Sequence, residues 1–200
     1  MRIVLASASA RRKALLAALG LSFDVITSEV TERLEGFPAA VVTQNARAKR
    51  DDVAVRLDAP ALVMAADTLV FLDEHVLGKP ADADEARSML ARLSGRTHQV
   101  LTGLSLIDTS TGKTAEGHES TDVTFRTLSP AEIDTFAETV NPIDRAGAYT
   151  VDGPGSLLVV RYNGCYCNVL GLPIVRLDLL LRELGYSLFE LMDGRRARFL

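Results

Sequence analysis

The chain has 200 residues, 48% of them hydrophobic and 24% charged, with a formal net charge of −4. This is ordinary globular composition, with enough chain to bury a real core in one domain or in two lobes. No apolar run approaches a membrane span, and an acidic balance without a basic face or stripe argues against general nucleic-acid binding.

A small phosphorylated substrate in a local basic pocket stays open. The N-terminus enters a strand directly, so no signal peptide is expected and the expected location is the cytoplasm. Cys165 and Cys167 stand two positions apart. They would share a face of a strand, they cannot complete a zinc site, and reduced thiols are expected.

Arg2 to Ala6 reads as a short buried strand and Ala10 to Leu19 as a helix closed by Gly20. Ser7, Ala8 and Ser9 link them, with Ser9 as N-cap. Arg11, Arg12 and Lys13 crowd the first helical turn, at the positive end of the dipole, where cations are mildly unfavourable. A phosphate chain reverses that sign, because free backbone N–H groups, serine hydroxyls and guanidinium forks then converge on one anion. The competing reading is a solvated basic patch on a surface helix.

Phe23 to Ile26 is a short strand, and Thr27 to Gly36 is a polar loop with Glu29, Glu32 and Glu35. Pro38 opens a helix to about Leu57. Ala61 to Leu72 is the most apolar run and carries one aspartate, Asp67. Asp73-Glu74 turns it into Val76-Leu77, followed by Gly78-Lys-Pro80. Asp82 caps a helix to about Leu93, with Glu85 at the capping-box position and Gly95 past its end. His98 to Ile107 and Glu119 to Leu128 are strands about a turn at Thr109 to Gly112. Ser129-Pro-Ala-Glu132 is a second capping box, opening a helix to about Val140. Asn141 to Gly155 is irregular. Leu157 to Tyr162 and Cys165 to Val169 read as a hairpin about Asn163-Gly164. Pro173 begins a leucine-rich helix that ends at Gly185, and Asp193 to Leu200 reads as a tail. Strands and helices mix without strict alternation and without a repeat or linker, so the expected fold is α/β with a mixed sheet.

Asp67 is the strongest chemical candidate. A carboxylate in a buried run needs a partner or a metal, and beside phosphates it can hold Mg²⁺ or orient a water. The alternative is a structural aspartate capping a turn. Arginine outnumbers lysine 18 to 4. Lys49, inside a helix, and Lys79, in Gly78-Lys-Pro80, are therefore the point charges to watch. Asn141 to Tyr149 could frame a nucleobase or simply turn Tyr149 into the core. No P-loop, dinucleotide fingerprint, serine elbow or metal-spaced histidine set is present.

The ordered set Ser7-Ala-Ser-Ala-Arg-Arg12, Ala66-Asp-Thr-Leu-Val70, Leu77-Gly-Lys-Pro80, Leu93-Ser-Gly95, Asp122-Val-Thr-Phe-Arg126, Asp144-Arg-Ala-Gly-Ala-Tyr149 and Asn168-Val-Leu-Gly-Leu-Pro173 closely resembles the Maf family of nucleoside triphosphate pyrophosphatases. The resemblance runs from about Leu5 to Leu180. It implies a Maf/ITPase-like α/β fold, a mixed twisted sheet in two lobes around a nucleotide cleft. It implies cleavage between the α and β phosphates with a divalent metal, Mg or Mn. By motif matching, Asp67 would be the proton acceptor. Ser7, Ser9, Arg11 and Arg12 would line the phosphate loop. Glu32, Lys49 and Lys79 would complete the polar pocket, and Asp67 with Glu32 would hold the metal.

Arg12, Thr68 and Gly147-Ala-Tyr149 resemble the dTTP/UTP branch. The 7-methyl-GTP branch typically carries Trp and Gln at the positions of Arg12 and Thr68. Two departures stand out: Ala10 where the family usually has Pro, and Asp152 where the dTTP/UTP branch usually has Gln. Alternatives are a purine or modified-nucleotide pyrophosphatase, and a nucleotide-binding regulator of cell division with little turnover. A homodimer is compatible with each.

Overall fold

The computed structural model describes residues 1–73 and 75–198. Glu74 of the expected Asp73-Glu74 turn and the last two residues of the expected tail lie outside the described residues. The strands hydrogen-bond in the order β2-β1-β3-β5-β6-β7, with β4 on β3: β1 Ile3–Leu5, β2 Asp24–Val25, β3 Leu62–Leu72, β4 His75–Leu77, β5 Thr97–Asp108, β6 Lys113–Phe125 and β7 Val159–Asn163. β1 pairs in parallel with β2 and β3, whereas β4 and β7 join antiparallel to β3 and β6. The sheet is therefore mixed, as the sequence leads one to expect. None of the described helices is long and apolar enough to cross a membrane.

The chain forms two compact units. The first takes residues 1–67, 102–119 and those from Gly171 on. It holds α1 Ala10–Ala18, α2 Pro38–Ala54, α6 Ile174–Glu183 and α7 Leu188–Leu191. All three residues of β1 are buried, the pattern of a parallel strand covered on both faces. Val4, Ala6, Val53, Ala61, Val63 and Ala65 pack together, closed by Ile26, Ala54, Leu57 and Ile107.

One close approach fixes α2. A Cβ at Gly103 on β5 would fall 2.3 Å from the carbonyl carbon and oxygen of Val42, so the helix backbone lies directly on the strand. At the other end of the chain, the Arg198 N–H donates to the Ala18 carbonyl at 3.0 Å. The Arg196 side chain reaches Ser22 Oγ.

The second unit takes residues 68–101 and 120–170. It contains α3 Ala83–Leu93, α4 Pro130–Val140 and the short α5 Tyr166–Val169. Ser129 and Glu132 form the reciprocal capping box expected for α4. At α3 only half of the expected box forms. Asp82 accepts the Glu85 N–H, but Glu85 Oε2 takes the N–H of Ala81 instead of that of Asp82.

Three expectations are corrected. The hairpin about Asn163-Gly164 does not form: β7 pairs with β6 (Asp122 with Asn163, Val123 with Tyr162), and residues 166–169 are helical. The buried Asn168 explains this. Its amide donates to the Val100 carbonyl at 2.8 Å and to Thr121 Oγ1 at 3.0 Å, which draws the segment inward. Cys165 and Cys167 therefore do not share a strand face, and both are free and half-buried. β6 starts six residues before the expected Glu119, because its polar first half shows no apolar alternation and is held by the neighbouring β5. α7 was not expected. Ser187 caps it, and Asp178 Oδ1 accepts the Leu188 N–H.

Candidate active site

The link between β1 and α1 is built by two serines. Ser7 Oγ accepts the Ser9 N–H at 3.2 Å, and Ser9 Oγ accepts the Arg12 N–H at 3.4 Å as the N-cap. No acidic residue stands in the first turn of α1, so Arg11, Arg12 and Lys13 meet the positive dipole end without a local carboxylate. The Arg12 guanidinium is turned inward. It donates through Nε to the Gly171 carbonyl at 2.8 Å and through Nη1 to Ser7 Oγ at 3.0 Å. Burial pushes its pKa down. The carboxylates of Asp67 and Glu32 push back, and Arg11 adds to the lowering. An arginine stays charged through such a shift, so a fixed positive group sits in the electrostatic range of both carboxylates.

Asp67 lies in the middle of β3, buried among apolar neighbours. A bare carboxylate there would be costly. α2 provides its partners from positions 45 and 49, one turn apart on one face. Lys49 Nζ is 2.7 Å from Asp67 Oδ1, and Asn45 Nδ2 donates to Oδ2 at 2.8 Å. Lys49 Nζ also meets Glu32 Oε1 at 2.5 Å. Asp67 is nearly sealed from solvent (side chain 3% exposed), Lys49 is 12% exposed and Glu32 39%. Glu32 is thus the outer and Asp67 the inner carboxylate on one ammonium. Two carboxylates and one ammonium leave the trio net negative, with Arg12 as the nearby counterweight.

The first unit therefore gathers Ser7, Ser9 and Arg12 around one point, and Glu32, Lys49 and Asp67 around another. Arg11 is half-buried beside Arg12. The other predicted residues belong to the second unit. Thr68 is half-buried and follows Asp67 on β3, so its side chain leaves from the opposite face. Lys79 is exposed in the turn after β4, where the Gly78 carbonyl accepts the Gly147 N–H at 3.0 Å. Asp152 is exposed and accepts a hydrogen bond from Thr150 Oγ1, and its side chain makes no cap to the turn that follows.

Tyr149, the end of the Gly-Ala-Tyr segment, is buried edge-on against His98 and Phe125, with ring centroids 5.3 and 4.8 Å away. Its hydroxyl is 2.7 Å from His98 Nε2, and burial pushes the His98 pKa down to about 4. That ring is neutral at ordinary pH. Two contributors were not expected from the sequence, Asn45 and the Gly171 carbonyl. Asn45 had one weak signal, its four-residue spacing from Lys49. A backbone carbonyl has none.

A family model described as Maf-like protein matches residues 2–184. The chain is 43% identical over 187 residues to the dTTP/UTP pyrophosphatase of Desulforamulus reducens, covering 93% of this chain and 98% of that protein. It is 45% identical to the dTTP/UTP pyrophosphatase of Moorella thermoacetica, covering 94% of this chain and 97% of that one. Among solved structures, a HAM1 protein from Coxiella burnetii aligns with TM-score 0.43 at 19% identity, over 62% of this chain and 73% of that chain. By its motifs, the family match and the two dTTP/UTP pyrophosphatase relatives, the chain belongs to the family of Maf-like proteins.

Proposed function

We propose that the protein hydrolyses nucleoside triphosphates, dTTP and UTP foremost, to the monophosphate and pyrophosphate. The observation that carries this reading is Asp67: a carboxylate sealed in an apolar strand, with one oxygen on Lys49 and the other on Asn45. Both oxygens are held in fixed directions, which is what a group positioned to take a proton from water requires. Water attacks the α phosphorus, the bond to the bridging oxygen breaks, and pyrophosphate leaves with that oxygen. Asp67 accepts the proton. Arg12, Arg11 and the serine link Ser7–Ser9 bind the phosphate chain at the start of α1, where the backbone N–H groups and the dipole favour an anion. Lys49 and Lys79 add point charges along the triphosphate, and Thr68 and Asp152 bear on the choice of base.

A divalent metal, Mg²⁺ or Mn²⁺, belongs to this reading. Among the described residues no group of three or more His, Cys, Asp or Glu is gathered. Mg²⁺ is usually held by one or two carboxylates together with the substrate's own phosphates, and Asp67 and Glu32 meet at one ammonium, that of Lys49. Asp67 and Glu32 would hold the ion, and it would offset charge on the triphosphate. The enzyme acts on the free nucleotide in the cytoplasm. The test is product chromatography of dTTP, UTP, CTP and GTP incubated with the protein and Mg²⁺. Monophosphate and pyrophosphate should appear together and EDTA should abolish both. Orthophosphate as the first product overturns the reading.

A further inference from the structure

Asn45 is 2% exposed and makes three hydrogen bonds. Its Oδ1 accepts the Arg33 N–H at 2.8 Å, and its Nδ2 donates to the Arg33 carbonyl at 2.9 Å and to Asp67 Oδ2 at 2.8 Å. Both partners of Nδ2 are acceptors and the partner of Oδ1 is a donor, so the orientation of the amide is fixed by chemistry. A carboxylate of the same size would face two acceptors, and an alkyl group would leave the buried Asp67 Oδ2 without this donor and the Arg33 N–H and carbonyl without their partner. The segment from Thr27 to Glu35 has no helix or strand of its own. Apart from the two Asn45–Arg33 bonds, its ties to α2 and to Arg56 just past that helix are exposed, the Lys49–Glu32 pair among them. Glu29 N–H binds Asp52, Arg56 binds the Thr27 carbonyl, and Arg33 reaches Gln44. Exposed ties of this kind hold a loop weakly.

We infer that Asn45 is a positioning residue. Its amide pins the Glu32–Arg33 backbone to the Asp67 carboxylate, so that inner and outer carboxylates meet Lys49 in one arrangement. The catalytic consequence rests on the proposed pyrophosphatase reading; the pin does not. Asn45 sits one turn before Lys49, and the pair divides the two Asp67 oxygens between a neutral and a charged donor. Losing the neutral donor frees Asp67 to rotate and Glu32 to drift, while the substrate's contacts at Arg11 and Arg12 stay in place. The loss therefore falls on kcat, about 10- to 100-fold, the scale for partners that orient a working group, with KM within about threefold.

The experiment uses the full chain. Amide hydrogen exchange is followed at Arg33 in wild type, Asn45→Ala and Asn45→Leu, the second variant keeping the branched side-chain shape without any acceptor where the first folds poorly. The Arg33 N–H should exchange at least about tenfold faster in both, with β3 and the described helices unchanged. Steady-state turnover is then measured in a cycle with Asp67→Asn. If Asn45 acts through Asp67, Asn45→Ala costs no further turnover in the Asp67→Asn background. Unchanged exchange at Arg33 overturns the pin. A full additional loss in the double variant overturns action through Asp67. A wild-type protein that releases no pyrophosphate refutes the functional reading and leaves Arg33 exchange to decide the pin.

Discussion

Asp67→Asn separates chemistry from architecture. The substitution keeps volume and removes one charge. The two Asp67 oxygens face Lys49 Nζ at 2.7 Å and Asn45 Nδ2 at 2.8 Å, both donors. An asparagine has one oxygen and one NH₂ group, so one donor must now face another. A mismatched buried pair costs about 1–3 kcal/mol. Lys49 keeps Glu32 as its partner, so its ammonium is not stranded. For a chain of this size 1 kcal/mol moves Tm by roughly 2–4 °C, and the melting point should fall by about 2–12 °C. Native proteins hold roughly 5–15 kcal/mol in reserve, so the variant is still folded at assay temperature. Turnover should nevertheless fall at least about a hundredfold, roughly 2.7 kcal/mol of transition-state stabilisation. The assay is pyrophosphate release from dTTP with Mg²⁺, run beside a thermal melt on the same sample. Turnover within about threefold of wild type would refute the catalytic role, and an unfolded variant would make Asp67 a structural residue.

His98 gives a pH prediction. Its folded pKa of about 4 lies below the ordinary 6.5, so the unfolded chain takes up the proton first as pH falls. The stabilisation is complete above pH 6.5 and drains away toward pH 4, by at most roughly 3 kcal/mol. Urea unfolding across that range should show the slope in wild type and not in His98→Phe. Gly103→Ala places a methyl 2.3 Å from the Val42 carbonyl, so α2 must shift. It should cost about 3 kcal/mol or more and lower turnover, because the same helix carries Asn45 and Lys49; a wild-type melting point would show that α2 yields freely. Asp152→Gln exchanges an acceptor for a group that also donates. It should narrow a broader wild-type tolerance toward dTTP and UTP by about tenfold in kcat/KM ratios. Unmoved ratios across the four nucleotides would remove Asp152 from base choice.

The elements that were legible are those with punctuation in the chain. Ser9, Asp82 and Ser129 each cap the helix assigned to them, and Pro38 opens α2. The apolar run at 61–72 becomes β3 because both its faces are covered. The failures share one cause, an element specified by a partner far along the chain. β6 begins in polar sequence because β5 is beside it. The Cys165–Val169 segment reads as a strand locally but is bent inward by Asn168, whose acceptors are Val100 and Thr121.

The site divides along the same line. Ionic residues announce themselves: a lone aspartate in a buried run violates local expectation, a lysine stands out in a chain that prefers arginine, and the two turn out to be bonded to each other. Glu32 was visible only through motif matching, since three glutamates share its loop and none is locally exceptional. Asn45 breaks no local rule: a polar residue on a helix surface is ordinary until tertiary contact buries it. Its partners at 33 and 67 lie on other segments, and neither spacing has a meaning before the fold exists. Charge can be read in one dimension, because burying it unpaired is forbidden wherever it falls. Orientation cannot, because it is a property of three segments at once. The amide from α2 that holds one Asp67 oxygen therefore had to come from the structure, whereas Asp67 and the ammonium of Lys49 did not.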